Sequence, residues 1–464
     1  MDASIFDKKL LVNIIALSLA LAVASFLPYA WIAFAAVIIV FLFFYYKQDF
    51  VLVAVIMAYL VITGDEAEKI RNALNIIALG ILVLLSLSKF GFKFKNYPKV
   101  PGEIIKFISF LFFTLFVSSV FSKDPFAGFA SMARMAVFLF ICYFFYSFIE
   151  NRKTINLFVL AIFFSVSILG GSIFISLAKS GFSLLMLQGN LARFAGFYEN
   201  PNYAGLLLVI SVPLIISFFF APSFQDKGKR FLLISFLLLN ILILLLADSR
   251  ASLLSIVLSS AIIIFLMNRS LFIKIFISSL VILIILFLIP DVQDFLLLYL
   301  RLDRINNRDY FWNTGIDIIK AYPVFGVGPD MFQKYFFTYM PSAVTRYYSS
   351  GAWIVGKPHP HNFFLFFTAE NGVLGFITAV YFWVLFFYIG IKDINLTRLG
   401  NKNYFILCVA VTAIGAGVFV RSFFEITGYL TYGFITRDLT FWLMFVVLIY
   451  IYQKFKIEVL QKPG

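Results

Sequence analysis

Apolar residues run along this chain in long unbroken stretches separated by short polar gaps. Continuous stretches of about 18 or more such residues read as membrane helices, and strict alternation would have indicated barrel strands instead. Apolar windows place spans near 10–27, 30–46, 50–63, 73–88, 104–121, 135–149 and 156–178. Further spans follow near 203–221, 231–248, 251–267, 271–289, 363–391, 403–421 and 434–453. The window at 50–63 is short enough to be tilted or re-entrant. One connection stands out by length: residues 290–362 hold no span, and a long structured connection of this kind usually serves function. Within it, Asn306 or Asn307 can cap a helix running through DYFWNTGIDIIKAY, with Trp312, Ile316 and Ile319 on one face and Pro323 beyond its end. That face should lie on the membrane or on neighbouring helices. The pattern predicts an all-α, polytopic integral membrane protein of about 12–14 transmembrane helices with one long external loop. It divides into an N-terminal helix bundle (1–289), the loop with short helices (290–362) and C-terminal helices (363–464).

Charge placement orients this arrangement. Lys47, the Lys89/Lys93/Lys95/Lys99 group, Arg152/Lys153, Lys227/Lys229/Arg230, Arg269/Lys274, Lys392/Arg398/Lys402 and Lys454/Lys456 fall in alternate gaps. The intervening short gaps are poor in basic residues, and 64–68 reads GDEAE. By the positive-inside rule the N-terminus and the basic gaps are cytoplasmic, and the 290–362 loop lies outside. The run after Lys8 and Lys9 reads as a retained first span, although Ala22-Val23-Ala24 loosely resembles a cleavage site.

Composition agrees with that reading. Of 464 residues, 62% are hydrophobic and 13% charged, against roughly 45–50% and about 25% in soluble domains. The net charge of +14 is spread thinly between spans rather than gathered into a stripe, so nucleic acid is not an expected partner. Cys142 and Cys408 sit in different apolar runs and read as small buried hydrophobes.

Residues capable of chemistry collect on the external side. The only two histidines form His359-Pro360-His361, just before the span at 363. Histidine is the natural side chain for taking a proton from a hydroxyl near neutral pH, and it equally suits a helix start held by backbone hydrogen bonds. Two histidines without a nearby Cys or acidic partner fall short of a metal site, so no metal or other cofactor is expected. Arg193 lies in RFAGFYENPNYAG and Arg250 in ADSRAS, the hairpin between two spans. A guanidinium at that depth is costly unless paired or used, and its planar fork suits a phosphate. A pair with Asp248 or a carbonyl cap would also account for Arg250, and snorkelling would account for Arg193. Interfacial anchoring accounts for Arg308, Arg421 and Arg437. Gly-x-Gly in VFGVGPDMF (324–332) follows no strand and lacks the Lys-Ser/Thr of a phosphate loop, so it reads as a tight turn. Tyr347, Tyr348 and Trp353 could stack on sugar rings or serve as interface aromatics.

Four motifs in order resemble the O-antigen ligase and polymerase superfamily. They are R-x-x-G-x-x-x-N-P-N from Arg193 to Asn202, S-R-A-S from Ser249 to Ser252, R-x-x-x-W with G-x-G-x-x-x-F between Arg308 and Phe332, and H-N followed by E-N-G-x-L-G from His361 to Gly375. The resemblance covers roughly residues 180–390. It implies a metal-independent, inverting membrane glycosyltransferase similar to the GT-C class, in the bacterial inner membrane with its site facing the periplasm. The implied donor is a glycan on undecaprenyl diphosphate, and the implied acceptor a lipid A–core glycolipid. It maps diphosphate binding onto Arg193 and Arg250 and the essential histidine onto His361, with Asn202, Arg308, Asn362 and Glu370 in support. Polymerisation of lipid-linked repeat units and transfer to protein hydroxyls share the donor residues and stay open as alternatives. A transporter is disfavoured, because the polar residues sit at the outer face rather than mid-span.

Overall fold

A computed structural model describes residues 48–61, 68–183, 193–198, 200–290, 292–293, 308–340, 358–398 and 400–460. The windows at 10–27 and 30–46, and Tyr347, Tyr348 and Trp353, lie outside the described residues. Among those residues the chain is helical, with no strand. In order the helices are α1 (Gln48–Val61), α2 (Glu68–Phe90), α3 (Gly102–Phe121), α4 (Pro125–Phe148), α5 (Arg152–Lys179), α6 (Pro201–Phe218) and α7 (Lys227–Ala247). Then come α8 (Arg250–Met267), α9 (Arg269–Phe287), α10 (Arg308–Ala321), α11 (Phe332–Tyr339), α12 (Phe363–Thr397), α13 (Lys402–Arg421) and α14 (Ile435–Leu460). Ten of the described helices are long and apolar enough to cross a membrane. The protein is a multi-pass membrane protein.

The helices start where short polar side chains can take up their free backbone N–H groups. Asp124 accepts from Ala127, Asn151 from Lys153 and Thr154, Asn200 from Asn202, Asp226 from Gly228 and Lys229, and Asn362 from Leu365. Pro125 and Pro201 follow their caps directly, where a missing N–H costs nothing. The described helix α1, at 14 residues, is about 21 Å long and shorter than a bilayer core of about 30 Å. By contrast α12 has 35 residues and is broken at Gly372, whose φ of 62° leaves the helical region.

Packing is centred on α6, α8, α12 and α13: α8 lies against α13 and α6, and α12 against α13, α3 and α14. Small residues permit the close approaches, as is usual between membrane helices. A methyl added at Gly205 would overlap the Ser252 hydroxyl, and one at Gly417 would overlap Ser259 and the Ser255 carbonyl. Basic residues from distant gaps gather at one end of the bundle. There Lys89 pairs with Glu150 at 2.6 Å, Lys456 with Glu103 at 3.0 Å, and Arg152 donates to the Asn403 carbonyl at 2.6 Å. The other end carries His361. An apolar hollow of about 260 Å³, lined by Ile104, Ile108, Tyr143, Trp442 and Val446 among others, opens between α3, α4 and α14, away from that histidine.

In the connection before α12, α10 turns Thr314, Gly315 and Ile318 into the protein, whereas Ile316 is exposed. The protein-facing stripe is therefore offset by one position from the Trp312/Ile316/Ile319 face. The small Gly315 and Thr314 let α10 close on Pro360 and Phe332, with Ile318 buried beside them and Ile316 left outside.

Candidate functional site

Five segments converge at the histidine end. Arg193 enters just before α6 on a strand of backbone held by the Phe194 N–H donating to Leu246 O at 2.9 Å. Pro201 and the Asn200 cap set Asn202 in the first turn of α6, where its side chain works in both directions. Its Oδ1 accepts from Arg193 at 3.2 Å and from the Ser249 hydroxyl at 3.1 Å, and its Nδ2 donates to Glu425 at 2.6 Å. Asp248 closes α7 with a left-handed backbone, φ 45°, and its carboxylate sits 3.9 Å from Arg193 Nε. Thus Asp248, a candidate partner of Arg250, faces Arg193. Arg250 itself opens α8, directly after Ser249.

Glu425 is the centre of the cluster. It lies in the turn between α13 and α14 and is almost fully buried, with 1% of its side chain exposed. Its Oε1 receives Asn202 and, at 3.2 Å, Arg308 from the start of α10. Its Oε2 stands 3.5 Å from His361 Nδ1. Burial alone would raise this carboxyl, but His361, Arg421 and Arg308 outweigh it and hold the group at about 2. The carboxylate is ionised throughout the physiological range. Arg421 proves to be no interfacial anchor. It is fully buried and donates to Asn202 O at 2.8 Å and Thr427 O at 2.7 Å, tying α6 to the turn that carries Glu425. Buried charge of this kind survives only when paired, and each member here is. Sequence alone missed Glu425, although an acidic residue four positions beyond a span, on the side of the suspect arginines, was the available signal.

His361 is presented by unusual backbone. Its φ is 47°, and its N–H donates to His359 Nδ1 at 3.3 Å. Phe311 of α10 meets the His361 ring edge to face at 5.7 Å, and the two imidazoles lie 4.1 Å apart. Phe363 N–H bonds to Ser422 O at 2.8 Å, which fixes the start of α12 against the Glu425 turn. Burial and the nearby His361, Arg437 and Arg308 push His359 well below the ordinary histidine range, against the pull of Glu425. His359 is therefore a neutral acceptor. With a carboxylate at Nδ1 of His361, the remaining nitrogen, Nε2, is the one available to a substrate.

The other predicted residues fall elsewhere. Asn362 caps α12, accepting from Leu365 at 3.0 Å. Glu370 lies apart from the histidine cluster, one to two turns along α12, where its carboxylate accepts the Asp330 and Phe332 N–H groups at 3.0 and 2.7 Å. Gly328 N–H reaches the Glu370 carbonyl at 2.8 Å, and a methyl on Gly326 or Gly372 would strike the opposite backbone. The E-N-G and G-x-G motifs are thus two halves of one joint that moors the connection to the break in α12.

Against known families, residues 234–380 match the model described as O-antigen ligase. Over that stretch the chain is similar to O-antigen ligases. No curated protein matches it. The matched stretch contains Arg250, Arg308, His361 and the Glu370 joint, while Arg193 and Asn202 precede it and Glu425 follows it. The match supports, in general terms, a glycosyltransferase of the O-antigen ligase and polymerase type, and the ten apolar helices make it a membrane protein.

Proposed function

We propose that the protein transfers a glycan from undecaprenyl diphosphate to a hydroxyl of the lipid A–core oligosaccharide at the periplasmic face of the bacterial inner membrane, without a metal ion. The observation that carries this reading is the His361–Glu425 pair, backed by Arg308 and linked through Asn202 to Arg193. The basic residues gathered at the opposite end of the bundle support the orientation.

In the proposed step the acceptor oxygen attacks the anomeric carbon from the side opposite the diphosphate. Its proton passes to His361 Nε2, the sugar–phosphate bond breaks, and the bonding electron pair leaves on the diphosphate. Configuration inverts. Glu425 keeps the imidazole oriented and stabilises the imidazolium as it forms, a role worth orders of magnitude in rate where it has been removed elsewhere. Arg193 and Arg250 stabilise the negative charge growing on the leaving group. The described helices α10 and α11, moored through Glu370, cover the site and limit water.

His361→Ala should lower transfer from a purified undecaprenyl-diphosphate-linked oligosaccharide by about a thousandfold, within the range of a lost general base, while the protein still inserts. Near-normal turnover would overturn the assignment. The acceptor is read from the glycolipids of a deletion strain. Accumulated lipid-linked polymer supports ligation, single lipid-linked repeat units indicate polymerisation, and an unchanged profile excludes both.

A further inference from the structure

Two guanidiniums flank one ring beside this site, and only one of them is neutralised. Phe434, in the turn before α14, has Arg134 at 4.2 Å from its centroid and Arg437 at 4.7 Å. Arg134 is fully engaged, with Asp330 at 3.0 Å and the Tyr432 carbonyl at 2.7 Å. Arg437 instead stacks on a second ring, Tyr203, at 5.2 Å, and among the described residues no carboxylate lies within salt-bridge distance of it. Its neighbour Asp438 is buried and committed to the Gly428 and Thr431 N–H groups at 3.1 and 2.6 Å. A guanidinium stacked on aromatic faces keeps its N–H edge free for an oxyanion and loses little conformational freedom on binding one.

Its location sets it beside the chemistry but apart from Arg193. Asn202 and Tyr203 are consecutive in α6, hence about 100° apart around the helix. Arg193 bonds to the first and Arg437 stacks on the second, so the two cations approach α6 from different sides. Arg437 is also near enough to His359 for its charge to disfavour the imidazolium. Among the described residues around the histidines, Arg193, Arg308, Arg421 and Arg437 outnumber the carboxylates Asp248, Glu425 and Asp438 by four to three. One diphosphate at Arg193 and Arg250 does not use Arg437.

We propose that Arg437, held between Phe434 and Tyr203, is a second anion-binding position that takes a phosphate carried by the acceptor glycolipid. The inference rests on the glycosyltransferase reading above and adds that the acceptor, like the donor, is recognised by charge. Such a phosphate has two sources, the diphosphate of a second lipid-linked saccharide or a phosphorylated lipid A–core.

Binding to the full-length protein in nanodiscs tests this. The probes are a purified undecaprenyl-diphosphate-linked saccharide, titrated in an Arg193→Gln background, and a purified phosphorylated lipid A–core, titrated in the otherwise unaltered protein. Adding Arg437→Gln should weaken one of the two by about tenfold, as expected for a lost charge-assisted contact, and raise the KM for that acceptor with the donor KM unchanged. The probe that weakens names the source. Phe434→Leu keeps the cation and removes its platform, and should give a smaller loss of about threefold. Unchanged affinity for both probes in Arg437→Gln and in Phe434→Leu overturns the inference. Failure of Arg193→Gln to weaken the donor would overturn the diphosphate reading alone.

Discussion

Helices α6 and α9 are nearly equal in length and both strongly apolar, yet their surroundings are opposite. The apolar window of α6, mean hydropathy 1.8, is 83% buried, and that of α9, mean hydropathy 2.7, is 0% buried. The more apolar helix is the outer one. Lipid tails are as apolar as leucine, so hydropathy drives a helix into the bilayer without choosing its neighbours. Neighbours are chosen by the small and polar positions that α6 buries, Asn202 and Gly205 facing Ser249 and Ser252 with Ser211 and Ser217 further along, whereas α9 has no glycine or asparagine and buries none of its serines. The same small and polar positions that assemble the bundle at α6 also hold the cluster proposed as the active site, so on that proposal packing and chemistry share one seam.

That contrast can be broken most severely at Gly205. Gly205→Val should prevent close approach of α6 and α8 and abolish both transfer and a monodisperse elution profile in detergent, since the obstructing Ser252 lies on a packed helix. Next comes Glu425→Gln, nearly isosteric, which should insert normally but lose at least about a hundredfold in transfer rate, measured with saturating donor. It should also alter acid stability. The folded carboxyl at about 2 lies below its ordinary value, so its stabilisation is complete above pH about 4.5 and is lost as pH falls toward 2. Glu425→Gln should show less loss of thermal stability across that window than wild type. Arg250→Lys is expected to cost about tenfold in transfer, because a point charge replaces a planar fork, with Asp248→Asn costing less. Equal activity of Arg250→Lys across donor concentrations would remove Arg250 from the diphosphate site. Smallest of all, Leu280→Ala on the outer helix α9, where Leu280 is 48% exposed, should leave transfer within about twofold. A large loss there would show that α9 has a protein neighbour.

The ten described spans were legible because a bilayer imposes length and apolarity on each segment separately. Where polar residues enter a helix, that signal fails: α4 begins at Pro125, ten residues before the expected 135, since Gly128, Ser131 and Arg134 dilute its first turns. These residues are needed there, as Arg134 bridges Asp330 and the Tyr432 carbonyl. Within the site, Arg193, Asn202, Arg308 and His361 could be named from local motifs, and the structure brings these four together around Glu425. Glu425 could not be named. Its partners Asn202, Arg308 and His361 lie on three other segments, the farthest 223 positions away in sequence, and only tertiary packing makes its carboxylate significant. Glu370 shows the converse, a residue named from its motif whose observed contacts are those of a joint.

If His361 is the base proposed above, its left-handed backbone sets selection for stability against selection for chemistry at one position. A side chain at φ 47° carries a strain of order 1 kcal/mol that glycine would relieve. Variants chosen only for heat resistance should therefore drift toward glycine at 361 and emerge as sturdier, inert proteins. A histidine retained there marks a lineage in which the reaction is still being selected.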